Sequence, residues 1–435
     1  MGMLKNKFLQ IALLAGMIFS FSYCTKHNQV LDLQSTATTP NGTLLTSISG
    51  SPKVLGLGEG TWDGTIESVW ANAPKLTVTA TVPDLGNNTF PGFVGNSTNV
   101  TLRSCYDAQN IYFLVEWDCD KNMNSAWWYF DPATSLWKQE TAAPTFDANG
   151  IITRNGFVQD QFAFIWNINN SCADFASQSC YATCHANTPS MTVDPKTGNI
   201  ITTPVYSGSM RTSAPNEKLD VWRCRMITAT NYNQINDYYM DWNNGTANSN
   251  GFHKDDQGSP LANQFGGGTS NKQSLKMNNA AKTKVSVPIW FIPGKSYYNA
   301  ILASDTTGNA KFIIAVDSNG VLHYANTRGG AEAGTIDPNS GTDYQRNGAG
   351  DGQFCIPGSV FGPFVGGMAD ISANAYYTGK GWRLLIKRTL KTSDVLEQDV
   401  DFSSLKDQDF GIGSFFNTAD NQHAITAYLK LTFKK

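Results

Sequence analysis

Apolar and polar residues alternate with a period of two along much of the chain, which predicts half-buried strands rather than helices. Leu76, Val78, Ala80 and Val82 are separated by threonines. Residues 99–117 read as a hairpin: Val100 and Leu102 lead to Tyr106, Asp107-Ala108-Gln109-Asn110 marks a turn, and Ile111, Phe113, Val115 and Trp117 alternate on the return. Phe162, Phe164 and Trp166 form another strand face. Phe312, Ile314 and Val316 are expected to face Leu322 and Tyr324 across the turn Asp317-Ser318-Asn319-Gly320. Late strands run through 382–390, 410–416 and 425–433, the last with Ile425, Ala427, Leu429, Leu431 and Phe433 on one face.

The pattern fails in three places. Residues 25–55 are polar and rich in Ser, Thr, Asn and Gly, and read as a flexible tether. Residues 230–285 collapse into Asn, Gly, Ser, Asp and Lys, and read as an insertion on the sheets. Residues 329–352 form a second Gly-rich loop. The strands on either side belong to one sheet system. The expected fold is all-β: an antiparallel β-sandwich over residues 56–435 with long loops and a few short helices.

The N-terminus changes the picture of where this fold resides. Lys5 and Lys7 precede an apolar run from Phe8 to Phe21, followed by Ser22-Tyr23-Cys24. The run is too short for a membrane span and has the layout of a secretory signal peptide over residues 1–23. A cysteine directly after it predicts lipidation at Cys24, with a lipid bilayer as partner and residence on the periplasmic side of a bacterial membrane or in the cell envelope. Cleavage without lipidation is the alternative. Charged residues make up only 15% of the chain, against about 25% in typical domains, and the net charge is −3. With no basic patch, nucleic acid is excluded as a partner.

Eight cysteines are present, so seven remain once Cys24 anchors the chain, and an odd number cannot all pair internally. Cys180-Tyr181-Ala182-Thr183-Cys184-His185 has the order of a covalent c-type haem site, with three residues between the thiols instead of two. A Cys180–Cys184 disulfide, and a zinc site with Cys172 and His185, are the alternatives. Other soft or imidazole donors are scarce among the five histidines. His27 lies in the tether, His253 in the polar insertion, and His323 after a tight turn; His423 precedes the last strand, at a sheet rim. Met210 sits in the polar run Ser209-Met210-Arg211-Thr212, where core filling is not its role. No nucleophile elbow, metalloprotease helix or carboxylate pair is visible, so a hydrolase is unsupported and an enzyme is not expected.

Taken in order, several segments resemble one family: the haem-binding domain of the gamma subunits of ethylbenzene and dimethylsulfide dehydrogenases and of cytochrome c-552-like proteins. The segments are Trp62-Asp63-Gly64 through Trp70, Val115-Glu116-Trp117-Asp118, Asp160-Gln161-Phe162 with Trp166, and Cys180 through His185. They continue with Met210-Arg211-Thr212, Glu217 through Trp222, Gly381-Trp382, Arg388-Thr389-Leu390, Asp399-Val400 and His423. The resemblance covers about residues 60–433. It implies a DOMON-like β-sandwich holding one haem, of b-type, between a Met and a Lys or His. By position Met210 and His423 become the axial ligands, with His185 in reserve, and Trp117, Trp166 and Trp222 either wall the porphyrin or fill the core. It also implies that the cysteine pair is structural rather than thioether-bonded. Such a six-coordinate iron carries electrons to a redox partner that the sequence does not name. Arg223-Cys224-Arg225 departs from the His-Trp-Lys run of many relatives. The Asp63-Gly64…Trp70 opening is also similar to family 9 carbohydrate-binding sandwiches, which makes sugar binding the rival reading.

Overall fold

The period-two segments form strands, although the segment read as one strand over 425–433 forms two, Ala424–Ile425 and Leu429–Phe433, and thirteen strands in all hydrogen-bond into one sheet. The computed structural model describes residues 43–82, 94–123, 126–140, 145–146, 152–154, 159–173, 175, 190–193, 200–203, 211–212, 214–242, 251–255, 268–294, 300–338, 356–394, 396–416, 423–426 and 428–435. All belong to a unit spanning residues 37–435. The signal-like run, Cys24, Cys180, Cys184, His185 and Met210 lie outside the described residues.

In chain order the strands of the large sheet are β1 (Leu44–Ser49), β2 (Leu76–Thr81), β3 (Ser97–Tyr106) and β4 (Asn110–Asp118). Next come β5 (Gln161–Asn167), β6 (Leu219–Arg225), β7 (Asn236–Met240) and β8 (Phe252–Lys254). The last are β9 (Ser372–Tyr377), β10 (Gly381–Thr389), β11 (Gln408–Phe415), β12 (Ala424–Ile425) and β13 (Leu429–Phe433). Their spatial order is β8-β7-β6-β5-β11-β12-β2-β3-β4-β10-β9, with β1 paired to β13 and β3, and β13 to β11. Pairing is antiparallel except for β1, which runs parallel to both its neighbours.

The sheet folds over so that its two halves face each other as a β-sandwich. Phe113 of β4 meets Phe164 of β5 and Trp222 of β6 with ring centroids 5.1 and 5.8 Å apart. Trp166 stacks on Phe410 of β11 at 4.9 Å. Each such buried ring contributes about 1.5–3 kcal/mol by area, and each aromatic pair about 0.5–1.5 kcal/mol more. The far edges are stapled together: Ala373 N–H donates to Asn233 O and Ile235 N–H to Ile371 O. The short helix α1 (Met226–Tyr232) follows β6 directly and ends at Asn233, which adopts a left-handed conformation.

Three expectations change. Residues 44–49, expected in the tether, form β1. Leu45 and Ser47 are fully buried, because a six-residue strand bonded on both sides satisfies its backbone without needing many apolar side chains. The polar stretch 230–285 is not wholly an insertion either. Residues 236–240 and 252–254 extend the large sheet, and 273–276 pairs with 284–287 as a separate hairpin. The 311–325 hairpin leaves the main sheet for a four-stranded one with Trp290–Phe291 and Glu332–Ile336. A β-bulge between Ile313 and Ala315 shifts its alternation, so Ile313 and Val316 are buried rather than Phe312 and Ile314. These pieces share a second core with Trp128, Phe130, Trp137, Met277 and Phe291.

Candidate functional site

Strands β5, β6 and β11 carry different chemistry on their two faces. Inward point Phe162, Phe164 and Trp166 of β5, Asp220, Trp222 and Cys224 of β6, and Phe410, Ile412 and Ser414 of β11, matched residue to residue by the pairing register. Outward point Gln161, Ala163 and Ile165, then Val221, Arg223 and Arg225, then Gly411, Gly413 and Phe415. The outward row is short-sided in the middle and apolar at one end, where Ile165, Val221, Leu219, Met240 and Ile425 pack with Phe175.

His423 closes this outer face. It directly precedes β12, and its half-buried ring stacks on Phe415 with centroids 4.5 Å apart. A Cβ at Gly413 would lie 3.0 Å from His423 Cδ2, so the glycine lets the imidazole approach the β11 backbone closely. Arg223 sits over the other side of the same neighbourhood, its guanidinium 5.6 Å from the Phe415 ring centre and its Nε donating to Gln161 Oε1 at 2.8 Å. At the opposite end of the outer face, Thr212 N–H donates to Asp241 O just beyond β7, and Arg211 lies over Trp242. Met210 immediately precedes that anchored pair in sequence. The rows from Leu219 to Arg223 span about 13 Å of strand.

The other residues expected at the site lie elsewhere. Trp222 is completely buried among Phe113, Phe164, Trp166 and Phe402 inside the sandwich, and Trp117 packs on Phe162. Both are on the side of the sheet away from His423. His253 pairs with Asp241, and His323 with Asp317 and Glu332. Cys105, Cys119 and Cys224 form no disulfide. Burial pushes the Cys105 thiol up to about 11 and those of Cys119 and Cys224 higher, so they are protonated and behave as small apolar side chains.

Four of the segments that carry the family resemblance, those with Asp160, Asp220, Trp382 and Arg388, lie inside the sandwich. Trp382 Nε1–H donates to Asp160 Oδ2 at 2.8 Å, and Asn122 N–H donates to the same oxygen at 2.7 Å. Arg388 reaches Asp220 at 3.0 Å and Asp399 at 2.8 Å while its guanidinium lies 5.1 Å from the Trp222 ring centre. Val400 N–H also donates to Asp220. Sequence inspection did not single out Asp237 or Asp255, which lie beside this network. Neither sits in a motif, and only strand pairing brings them there.

A sequence model of the ethylbenzene dehydrogenase family matches residues 67–427. The chain belongs to that family. No curated protein sequence matches it. Among solved structures, this ethylbenzene dehydrogenase family member is similar to a family 9 carbohydrate-binding module from Caldicellulosiruptor kristjanssonii in complex with cellotriose. The identity is 7%, the TM-score 0.23, and 90% of this chain and 93% of that chain are covered. The same module in complex with glucose matches at 8% identity and a TM-score of 0.23, over 90% of this chain and 95% of that chain.

Proposed function

We propose that this chain is a haem-binding electron carrier rather than an enzyme, and that its haem, of b-type, is held on the outer face of β5, β6 and β11. The observation that carries the reading is the seating of His423: an imidazole held by Phe415 over a glycine of a central strand, on a sheet face that is apolar towards its other end, in a chain of the ethylbenzene dehydrogenase family. The residues present fit the group. Gly411, Gly413 and Ala163 keep the middle of the face low, Ile165 and Val221 make it apolar, and Arg223 and Arg225 supply positive charge for two carboxylates. His423 would offer a ring nitrogen and Met210 a thioether. Bound there, haem supplies a one-electron iron couple whose potential a methionine ligand raises. Trp117 and Trp222 act as sandwich core, beneath the sheet rather than against the porphyrin.

The N-terminal layout supports export and a lipid at Cys24, which would hold the domain at the periplasmic surface of a membrane within reach of a protein redox partner. Among the described residues no helix is long and apolar enough to cross a membrane.

The test is the visible spectrum of the protein made in a haem-competent host. A Soret band is expected, lost from the protein on acid–acetone extraction, as non-covalent haem requires. A band that stays with the protein assigns the covalent site to Cys180, Cys184 and His185 instead. Met210→Ala and His423→Ala should each shift the spectrum, and an unchanged spectrum in both overturns the ligand assignment. A haem-free protein that binds cello-oligosaccharides overturns the whole reading in favour of a sugar-binding module.

A further inference from the structure

The inner face of β6 and β7 holds more negative charge than the fold neutralises. Asp220 and Asp237 are diagonal neighbours there: Asp237 lies opposite Trp222 in register, two residues from Asp220. Asp399 reaches the same point from the loop after β10. One carboxylate oxygen from each of the three lies within 4.8 Å of the others. Asp220 and Asp237 are fully buried, and Asp399 is 8% exposed. Among the described residues Arg388 is the one cation bonded to the group, and it pairs with Asp220 and Asp399.

Asp237 is the residue that this ion pairing leaves unexplained. Both its carboxylate oxygens are buried, and neither has a hydrogen-bond partner among the described residues; Asp220 Oδ1 is in the same condition. So are both oxygens of Asp255, 1% exposed, whose N–H donates to Asp237 O at 3.2 Å. A buried carboxylate without a donor costs several kcal/mol, so folded proteins pair such groups, protonate them or give them a metal. With all three ionised, the aspartates and Arg388 would sum to a charge of −2, which one divalent cation cancels.

We infer that Asp220, Asp237 and Asp399 form a buried site for a hard divalent cation of the calcium type, with Asp255 completing its surroundings. The donor chemistry selects the ion. Each of the three clustered side chains offers a carboxylate oxygen, and among the described residues no imidazole or thiolate joins the group, which disfavours zinc and copper. An ion with oxygen ligands at about 2.3–2.6 Å bridges donors up to about 5 Å apart, which matches the observed spread. Magnesium keeps several of its waters and demands octahedral geometry, and a pocket this closed to solvent suits calcium better. The site is separate from the outer-face haem site and does not depend on it.

The full-length protein should retain calcium through dialysis, as read by elemental analysis. Stripping with EDTA and adding back about 1 mM Ca2+ should raise Tm by about 5 °C or more, with a smaller response to Mg2+. Tb3+ should bind competitively with Ca2+ and give luminescence sensitised by Trp222, which faces Asp237 across the β6–β7 pair. Asp237→Asn removes a charge and no hydrogen bond. It should leave the metal-free protein at least as stable and weaken Ca2+ binding at least about tenfold. If that variant fails to fold, metal content and Tb3+ emission of the unaltered protein still decide. No retained metal, no sensitised emission and identical Tm with EDTA and with Ca2+ would overturn the inference, as would an Asp237→Asn variant that binds Ca2+ like the parent.

Discussion

Replacing Asp160 by Asn should remove a specific dependence of stability on pH. Asp160 is fully buried, and its Oδ2 accepts from both Asn122 N–H and Trp382 Nε1–H. Burial pushes its carboxyl up from 3.8 to about 7; those two bonds and Lys121 pull it down, and Asp120 pushes the same way as burial. Below about pH 4 the group is protonated in both the folded and the unfolded chain and makes no difference. Between about pH 4 and 7 the unfolded chain has released the proton and the folded chain still holds it. Stability therefore falls as pH rises, by up to about 1.4 kcal/mol per pH unit, and by about 4 kcal/mol over the whole window. Above about pH 7 the full cost is present and the slope ends. Asparagine keeps an acceptor oxygen for Trp382 and Asn122 and has no proton to lose. The assay is urea unfolding of both proteins from about pH 4 to 8, taken as a difference so that the other acids cancel. Asp160→Asn should lie within about 1–2 kcal/mol of the parent at the acid end and overtake it progressively towards neutrality. A difference that stays flat with pH would refute the raised carboxyl.

Other outcomes follow from single contacts. Arg388→Met strands Asp220 and Asp399 without their cation and should cost about 3–5 kcal/mol in the same unfolding assay; a loss under about 1 kcal/mol would mean the carboxyls are already neutral. Gly64 has φ of 82°, and a Cβ there would run into the Tyr376 ring, so Gly64→Ala should cost about 1–3 kcal/mol, partly recovered by a second change, Tyr376→Ala. Trp166→Ala empties the centre of the aromatic cluster and should cost about 3–5 kcal/mol, measured by thermal unfolding. Cys24→Ser should move the protein from the membrane fraction to the soluble fraction on cell fractionation; unchanged membrane association would refute lipid anchoring.

The strands were legible in the sequence because one face of each is packed against the opposing half, and a buried face imposes a period of two. Phe162, Phe164 and Trp166 all point inward as the alternation implies. Legibility failed where pairing, not side-chain burial, makes the strand. Residues 44–49 bond on both edges and tolerate serine and threonine, and the bulge at Ile313 moves the buried face by one residue. At the site, His423 was legible as the histidine before the last strand, but the sheet face it occupies was not, since that depends on which residues of β11 it packs against. Trp222 stood out by type and motif, and aromatic character alone does not tell a cofactor wall from a core. The carboxylate group was invisible for a further reason. Asp220, Asp237 and Asp399 are far apart in sequence and share no spacing; they meet only through the β6–β7 register and the return of the chain after β10.

The two faces of β6 are not independent, and this links the buried network to the outer site. Side chains alternate along a strand, so a slip of one residue in β6 would carry Asp220 and Trp222 outward and Arg223 inward. Hydrophobic matching alone holds this register weakly here, because Val221 and Trp222 are both acceptable inside a sandwich. Arg388 removes the ambiguity: it bonds Asp220, lies over Trp222, and so recognises two successive inward positions of β6 at once. Val400 N–H on Asp220 adds a third point. With β6 fixed, Arg223 and Arg225 are held on the outer face beside β5, and through β5 the register of β11 places Gly413 beneath His423. The polar residues inside the sandwich thus set the geometry of a surface they do not touch. A change at Arg388 should alter the surroundings of His423 as well as stability, whereas a change at Trp166, which packs but does not specify register, should lower stability and leave the His423 neighbourhood in place.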